Sequence, residues 1–325
     1  MSIGTLISSV SGLKSHEQGL EVIGDNIANV NSRSYKTTRA GFTNSFSNLL
    51  SRSTPATGSG SNRPAVQVGT GAKLGGVTTD FSQGVITPTG IDTDMAIDGN
   101  GFFKVKNVVS SQEYATRDGS FRVDDQGYFT TNDGLRLQGL GGGTISFAAS
   151  ELNGKLVYTP NIVAPSTVGD IRLDYNLSIG NGLSNNTSGA FTDQQVEENV
   201  PSVTGLTIDP SGNVHLLLSD NTSFIKGRVL TVDFSDPQAL VRESNGLYSG
   251  FGAAGIKSGN SFDAANNTPG SNGLGEIKAA SLELSNVNLT DQFAELIKTQ
   301  RGFQANARVV SVSDEVMNEV VNLKR

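Results

Sequence analysis

The sequence predicts a mixed fold, with antiparallel β-domains in the middle of the chain and α-helical N- and C-terminal segments that pair as a coiled coil. Three observations carry this expectation. Leu6, Leu13, Leu20 and Ile27 recur at intervals of seven near the start, with Ile3 and Val10 interleaved. Leu289, Leu296, Phe303, Val310 and Met317 repeat that interval near the end, with Phe293, Ala307 and Val321 each four places after a member. Each set forms one apolar stripe on a helix. Between them, short aromatic and β-branched runs are punctuated by Asn100-Gly101, Asp118-Gly119, Gln126-Gly127 and Asp133-Gly134, the turn chemistry of antiparallel strands.

Taken in order, residues 1–30 read as an N-terminal core helix capped by Ser2. Gly12, Gly19 and Gly24 each weaken a helix interior by about 1 kcal/mol relative to Ala, so this segment is expected to order when a partner covers its stripe. Residues 31–72 are polar, contain Pro55 and Pro64 and lack a sustained period. They read as an extended arm, with a short helical piece over 41–50. Residues 73–143 and 224–284 form an inner β-domain, and the glycine run 141–143 marks its boundary with an inserted outer β-domain at 144–223. Strand candidates in the insert are 156–158, 171–177 and 214–218, with a polar loop at 180–199. A C-terminal core helix fills 285–325, opened by Asn288 with Asp291 three residues on and closed by Lys324 and Arg325, where cations suit the helix dipole. This nesting brings the two ends of the chain together.

Composition narrows the function. Only 36% of residues are hydrophobic and 39 are Gly, which favours many turns over one large apolar interior. A net charge of -7 without a Lys/Arg cluster argues against partners that are nucleic acid or membrane. Cysteine is absent, which removes disulfides and thiol chemistry. Ser8, Ser9, Ser11, Gly12, Lys14 and His16 interrupt the first twenty residues, so a cleaved secretory signal is not expected.

Catalytic chemistry finds no footing, and no catalytic residue, cofactor or metal is expected. His16 and His215 lie far apart in sequence, and Asp92, Asp94, Asp118, Asp124, Asp125 and Asp209 mostly flank Gly, Asn or Pro, where Asp serves turns. Asp98-Gly99-Asn100-Gly101 lacks the ligand alternation of a calcium loop. The terminal stripes can bury their faces on one another within a chain or on a second copy, and the pattern admits both. Two details favour assembly: the glycines that weaken the first helix, and Glu17, Gln300 and Asp314, which fall on otherwise apolar stripes as register-setting residues do.

Four segments then resemble one family. Asn26-Ile27-Ala28-Asn29-Val30 followed by Tyr35-Lys36 is similar to the N-terminal signature of the bacterial flagellar rod and hook proteins, although Ser34 stands where the family commonly has Gly. Ser285-Asn286-Val287 followed by Gln300-Arg301-Gly302-Phe303-Gln304-Ala305-Asn306 resembles its C-terminal signature. Ile97-Asp98-Gly99-Asn100-Gly101-Phe102-Phe103 and Arg117-Asp118-Gly119-Ser120-Phe121 resemble its β-domain. The room for an inserted domain, the ending Asn322-Leu323-Lys324-Arg325 and the segment 233–248 look most like the hook members, with the distal rod as the alternative and a secreted β-rich adhesin the reading outside the family.

The resemblance implies a structural subunit, not an enzyme, that polymerises with itself into a hollow, flexible tube acting as a universal joint. It implies further partners in the distal rod, hook cap and hook-filament junction proteins, and export through the flagellar type III apparatus without a cleaved signal. The apolar interface of the tube is then expected at Leu6, Val10, Leu13, Leu20, Ile27, Leu289, Phe293, Leu296, Phe303, Val310 and Met317. The family signature falls on Asn26, Asn29, Tyr35, Lys36, Ser285, Asn286, Gln300, Arg301 and Asn306.

Overall fold

Long-range pairing divides the chain into two units, 1–82 with 285–325 and 83–284. The computed structural model describes residues 3–53, 64–152, 155–173, 203–219, 221–257 and 262–323, with backbone alone for 144–152 and 155–162.

The first unit joins the ends of the chain. Helix α1 (Ile3–Ala28) is followed by strands β1 (Thr38–Asn44), β2 (Ser47–Ser51), β3 (Val66–Gly69) and β4 (Ala72–Thr79). Strand β1 pairs antiparallel with β4, and β2 with β3. The unit closes with a 34-residue helix, Leu289–Asn322, here α3. Asn288 caps it by accepting the Thr290 N–H at 3.0 Å. The described part of the expected arm at 31–72 therefore carries three strands, and the helical piece expected over 41–50 is mostly strand. Phe42 pairs with Leu74 and Leu49 with Gln67, non-local partners that local composition does not reveal. The expected caps at Ser2, Lys324 and Arg325 lie outside the described residues.

The second unit contains β5 (Ile86–Pro88), β6 (Met95–Asp98), β7 (Phe102–Lys106), β8 (Glu113–Thr116), β9 (Arg122–Val123), β10 (Phe129–Thr130) and β11 (Arg136–Gly141). Next come β12 (Thr144–Leu152), β13 (Lys155–Val163), β14 (Thr167–Asp170), β15 (Val203–Ile208), β16 (Asn213–Leu218), β17 (Ser223–Val229) and β18 (Thr231–Val232). The unit ends with β19 (Val241–Arg242), β20 (Leu247–Ser249), the single helical turn α2 (Phe251–Ala254), β21 (Glu276–Ala279) and β22 (Ser281–Glu283). A main sheet runs β15-β16-β17-β11-β7-β8-β20-β19, and its neighbouring strands are antiparallel.

That order corrects the expected split into inner and outer domains. Strand β11 pairs with β14 and strand β17 with β16, so the sheet runs across the boundaries set at 143/144 and 223/224. One core spans both sides, joining Met95, Phe103, Phe129 and Leu137 to Leu206, Val214, Leu216 and Leu218. The glycine run 141–143 is close-packed backbone: a Cβ on Gly143 would lie 2.5 Å from the Lys226 carbonyl. The hairpin β12–β13 pairs solely with itself and adds no strand to the main sheet. The expected strands at 156–158 and 214–218 are found, while 174–177 and 180–199 lie outside the described residues.

The two middle motifs act in this unit. Arg117 is buried against Glu283 at 3.4 Å and lies 5.2 Å from the Phe102 ring centre. Burial lowers the Arg117 pKa, opposed by the Glu283 carboxylate. Glu283 also accepts the Gly84 N–H at 2.7 Å. Asp118 holds the turn by accepting the Ser120 N–H, and Gly119 lies so close to the Met95 carbonyl that a Cβ would sit 1.5 Å from its oxygen. Phe103 and Phe121 meet edge to face in the core at 5.3 Å.

Candidate assembly surface

The buried face of α1 is not its leucine stripe. Ser9, Gly12, Ser15, Gly19, Ile23 and Asn26 are the buried positions, spaced three and four apart on one side of the helix. Small residues there let α3 approach closely. A Cβ on Gly12 would lie 2.7 Å from Asn306 Nδ2, one on Gly302 2.8 Å from the His16 ring, and one on Gly19 2.9 Å from Phe42 Cζ. These pairs, with Asn26 against Gln292, run in opposite senses along the two helices, so α1 and α3 are antiparallel. The hydroxyls on the seam are satisfied within it: Ser15 Oγ donates to the Ser11 and Ala72 carbonyls, and Ser313 Oγ to the Val309 carbonyl. Gly12 and Gly302 are therefore the condition of helix pairing, while Gly19 makes room for Phe42 of β1. Gly24 has nothing within 4 Å of a Cβ and remains a weak point of α1.

This seam displaces the larger side chains. Leu6, Leu13, Leu20 and Ile27 are half-buried, as are Leu296 and Val310. Val10, Leu289, Phe293, Phe303 and Met317 are exposed, Phe293 by half its surface. Ile7, Ile297, Val309, Val312, Val320 and Val321, outside the expected set, are exposed with them. One chain thus leaves a long apolar face on both helices uncovered.

Several of the residues expected as the signature pin the end of this helix pair. Asn26 is buried. Its Oδ1 accepts from the Thr38 N–H and from the Tyr35 hydroxyl, and its Nδ2 donates to the Thr38 carbonyl and to Gln292 Oε1. Tyr35 also donates to Asp25 at 2.9 Å. Asn286 bridges a second pair of segments, accepting from the Thr37 N–H and hydroxyl and donating to the Asp80 and Ser82 carbonyls. Lys36 is buried with Nζ donating to the Ser82 carbonyl. Asn29 donates to Asp25, and Ser285 Oγ accepts from the Val287 N–H. Asn306 packs on Gly12, while Gln300 and Arg301 are exposed. Ser34 adopts φ of 53°, the left-handed conformation that explains a glycine at this place. Thr37, Thr38, Asp80, Ser82 and Gln292 complete the network, and the sequence reading missed them; polar residues in an apparent arm gave no signal of burial.

Asp80 is held below its ordinary carboxylate range, first by the Ser82 N–H at 2.9 Å. A cavity of about 330 Å³ opens between α1, β1 and α3, with Val22, Ile23 and Phe42 among its apolar walls and Asp291 and Glu295 beside them. His16 belongs to the helix seam, whereas His215 Nε2 lies 3.3 Å from Asp209 at a hairpin turn of the other unit. No group of three His, Asp or Glu among the described residues could hold a metal, and none of their helices is long and apolar enough to cross a membrane.

Known proteins share this arrangement of sequence. A family model for the flagellar basal body rod FlgEFG protein C-terminal region matches residues 278–323, and one for the flagellar hook protein FlgE/F/G D1 domain matches residues 96–216. The flagellar basal-body rod protein FlgG of Bacillus subtilis is 30% identical over 321 residues, covering 99% of each chain. The chain belongs to the flagellar hook and rod protein family. FlgG of Borreliella burgdorferi is 26% identical over 327 residues, covering 98% of each chain. The flagellar hook protein FlgE of the same organism is 26% identical over 448 residues, covering 98% of this chain and 99% of its own. The family is a structural component of the flagellum; the matched segment 278–323 contains Asn286 of the buried network, and the matched segment 96–216 contains the turns around Gly99 and Gly119.

Proposed function

We propose that this chain is a self-assembling subunit of the tubular flagellar axis, and that its terminal helices form the cohesive wall of the tube. The observation that carries the reading is the uncovered apolar face: α1 and α3 pair through Ser9, Gly12 and Gly302 and leave Val10, Leu289, Phe293, Phe303 and Met317 for neighbouring copies. Their burial at about 25 cal/mol per Å² would supply the cohesion. In this reading the helices complete a heptad-based, coiled-coil-like packing between copies, with Leu6, Leu13, Leu20, Ile27, Leu296 and Val310 as partly covered members. The exposed Gln300 and Arg301 face the same neighbours.

Within the family, alignment length favours the rod. The rod relatives align over 321 and 327 residues against a chain of 325, whereas the hook relatives span 448 and 470. The extra residues of the hook proteins have no counterpart in this chain. The second reading, a bending hook in which wetter β-unit contacts slide while the helical wall stays fixed, is favoured by the hook-like segment 233–248. Rod, cap and junction proteins would be its neighbours in the axis, and the type III apparatus its exporter.

Electron microscopy of the concentrated full-length chain tests the reading. Straight tubes support a rod subunit and curved tubes a hook subunit. Leu296→Asp with Phe303→Asp is expected to abolish both while leaving the β unit folded by circular dichroism. Tubes from that variant would sink the helical-wall account.

A further inference from the structure

We propose that the cavity between α1, β1 and α3 receives the Leu323-Lys324-Arg325 segment of a second copy of the chain, in a head-to-tail contact. The inference rests on the self-assembly reading and specifies one of its contacts. The cavity holds about 330 Å³, with Val22, Ile23 and Phe42 as its apolar walls. Asp291 and Glu295 line it one helical turn apart on α3. Arg39 is the cation in the lining, and it also acts on Asp80. Lys298 meets Glu295 at 3.4 Å on the exposed side of the helix, a contact of little strength. An occupant that fits is an apolar side chain followed by cations.

Leu323 is 83% exposed at the end of α3, and Lys324 and Arg325 follow it in sequence. Their own cavity is out of reach. The 34 residues of α3 span about 51 Å at 1.5 Å per residue, and two further residues extend at most about 7 Å. The occupant therefore comes from another copy. Donor segment and acceptor cavity lie at opposite ends of one helix, so the contact is heterologous and leaves a free donor and a free acceptor after each addition, the geometry that propagates a filament.

The natural absence of cysteine makes the contact directly testable. Full-length Leu323→Cys chains mixed with full-length Val22→Cys chains, assembled and then oxidised, are expected to give disulfide-linked pairs containing one chain of each kind. Separately, Lys324→Glu with Arg325→Glu is expected to raise the critical concentration for assembly about tenfold. Adding Asp291→Lys and Glu295→Lys to that chain should restore it. Polymer without mixed disulfide pairs, or charge reversal without effect or without rescue, overturns this contact alone. Wild-type chain that forms no polymer overturns the assembly reading beneath it.

Discussion

The two units of the chain bury their apolar residues in opposite ways. In the β unit, Met95, Ile97, Phe103, Val105, Phe129, Leu137, Leu216 and Val229 are almost wholly inaccessible and pack as one cluster. In the helical unit, Ile23 and Tyr35, each 6% exposed, are the only buried hydrophobic residues among the described ones, while Val10, Phe46, Leu50, Phe293, Ile297 and Met317 stand in solvent. The β unit closes its core within one chain. The helical unit joins its segments through polar groups, those of Asn26, Ser15 and Asn286, and leaves much apolar surface exposed. Polar networks fix geometry at small net gain, whereas apolar area supplies the larger driving force. An element that must keep its shape alone yet bind strongly in company is expected to divide these two roles in this way.

Truncation at equivalent positions should expose the contrast most sharply. Phe103→Ala in the β core is expected to cost about 3–5 kcal/mol in chemical unfolding. Phe293→Ala on α3 should change the unfolding of the isolated chain by less than about 0.5 kcal/mol while raising the concentration needed for polymer. Equal losses at the two sites would erase the distinction between a closed core and an open face.

The helix seam offers the next test. Gly302→Leu must displace the His16 ring and is expected to destabilise the helical unit by about 1–3 kcal/mol. Gly24→Ala meets no neighbour and should stabilise α1 by about 1 kcal/mol. Thermal melts followed at 222 nm would compare them, and a shared sign would contradict the close-approach account.

At the turn after α1, Ser34→Gly should be more stable than Ser34→Ala by about 1 kcal/mol, because both lose the hydroxyl and only Gly accepts φ of 53° without strain. The smallest effect is expected from acid. Asp80 titrates below its ordinary 3.8, so its stabilising contribution is present above that value and is lost as pH falls through the lower folded value. Asp80→Asn should flatten the acid limb of helical-unit stability between those two points, and an unchanged limb would remove Asp80 from the turn's energetics.

Much of the architecture was legible because it is periodic or local. The heptads predicted α1 and α3, and the Asn-Gly and Asp-Gly pairs marked turns of the β unit. The seam was present in the sequence too, since Ser9, Gly12, Ser15 and Gly19 repeat at three and four. Those glycines read as defects because propensity prices a residue alone, without the helix that comes to lie on it. The motif Arg117-Asp118-Gly119-Ser120-Phe121 was visible as a resemblance, but its reason was not: Glu283 lies far along the chain and supplies the buried partner of Arg117.

By itself the sequence determined the helical ends, the β-rich middle and the family, because hydrophobic period, turn residues and signature motifs are written in consecutive positions. Tertiary structure alone decided that β1 pairs with β4 beside α1, that one sheet crosses the supposed domain boundary, and which side of α1 is covered. Each of these depends on pairing between segments far apart in sequence. An amphipathic stripe states that a surface must be buried, but whether the same chain buries it depends on how closely the backbones can approach, and here Gly12 and Gly302 give the contact between the helices to the small residues and leave the large ones exposed.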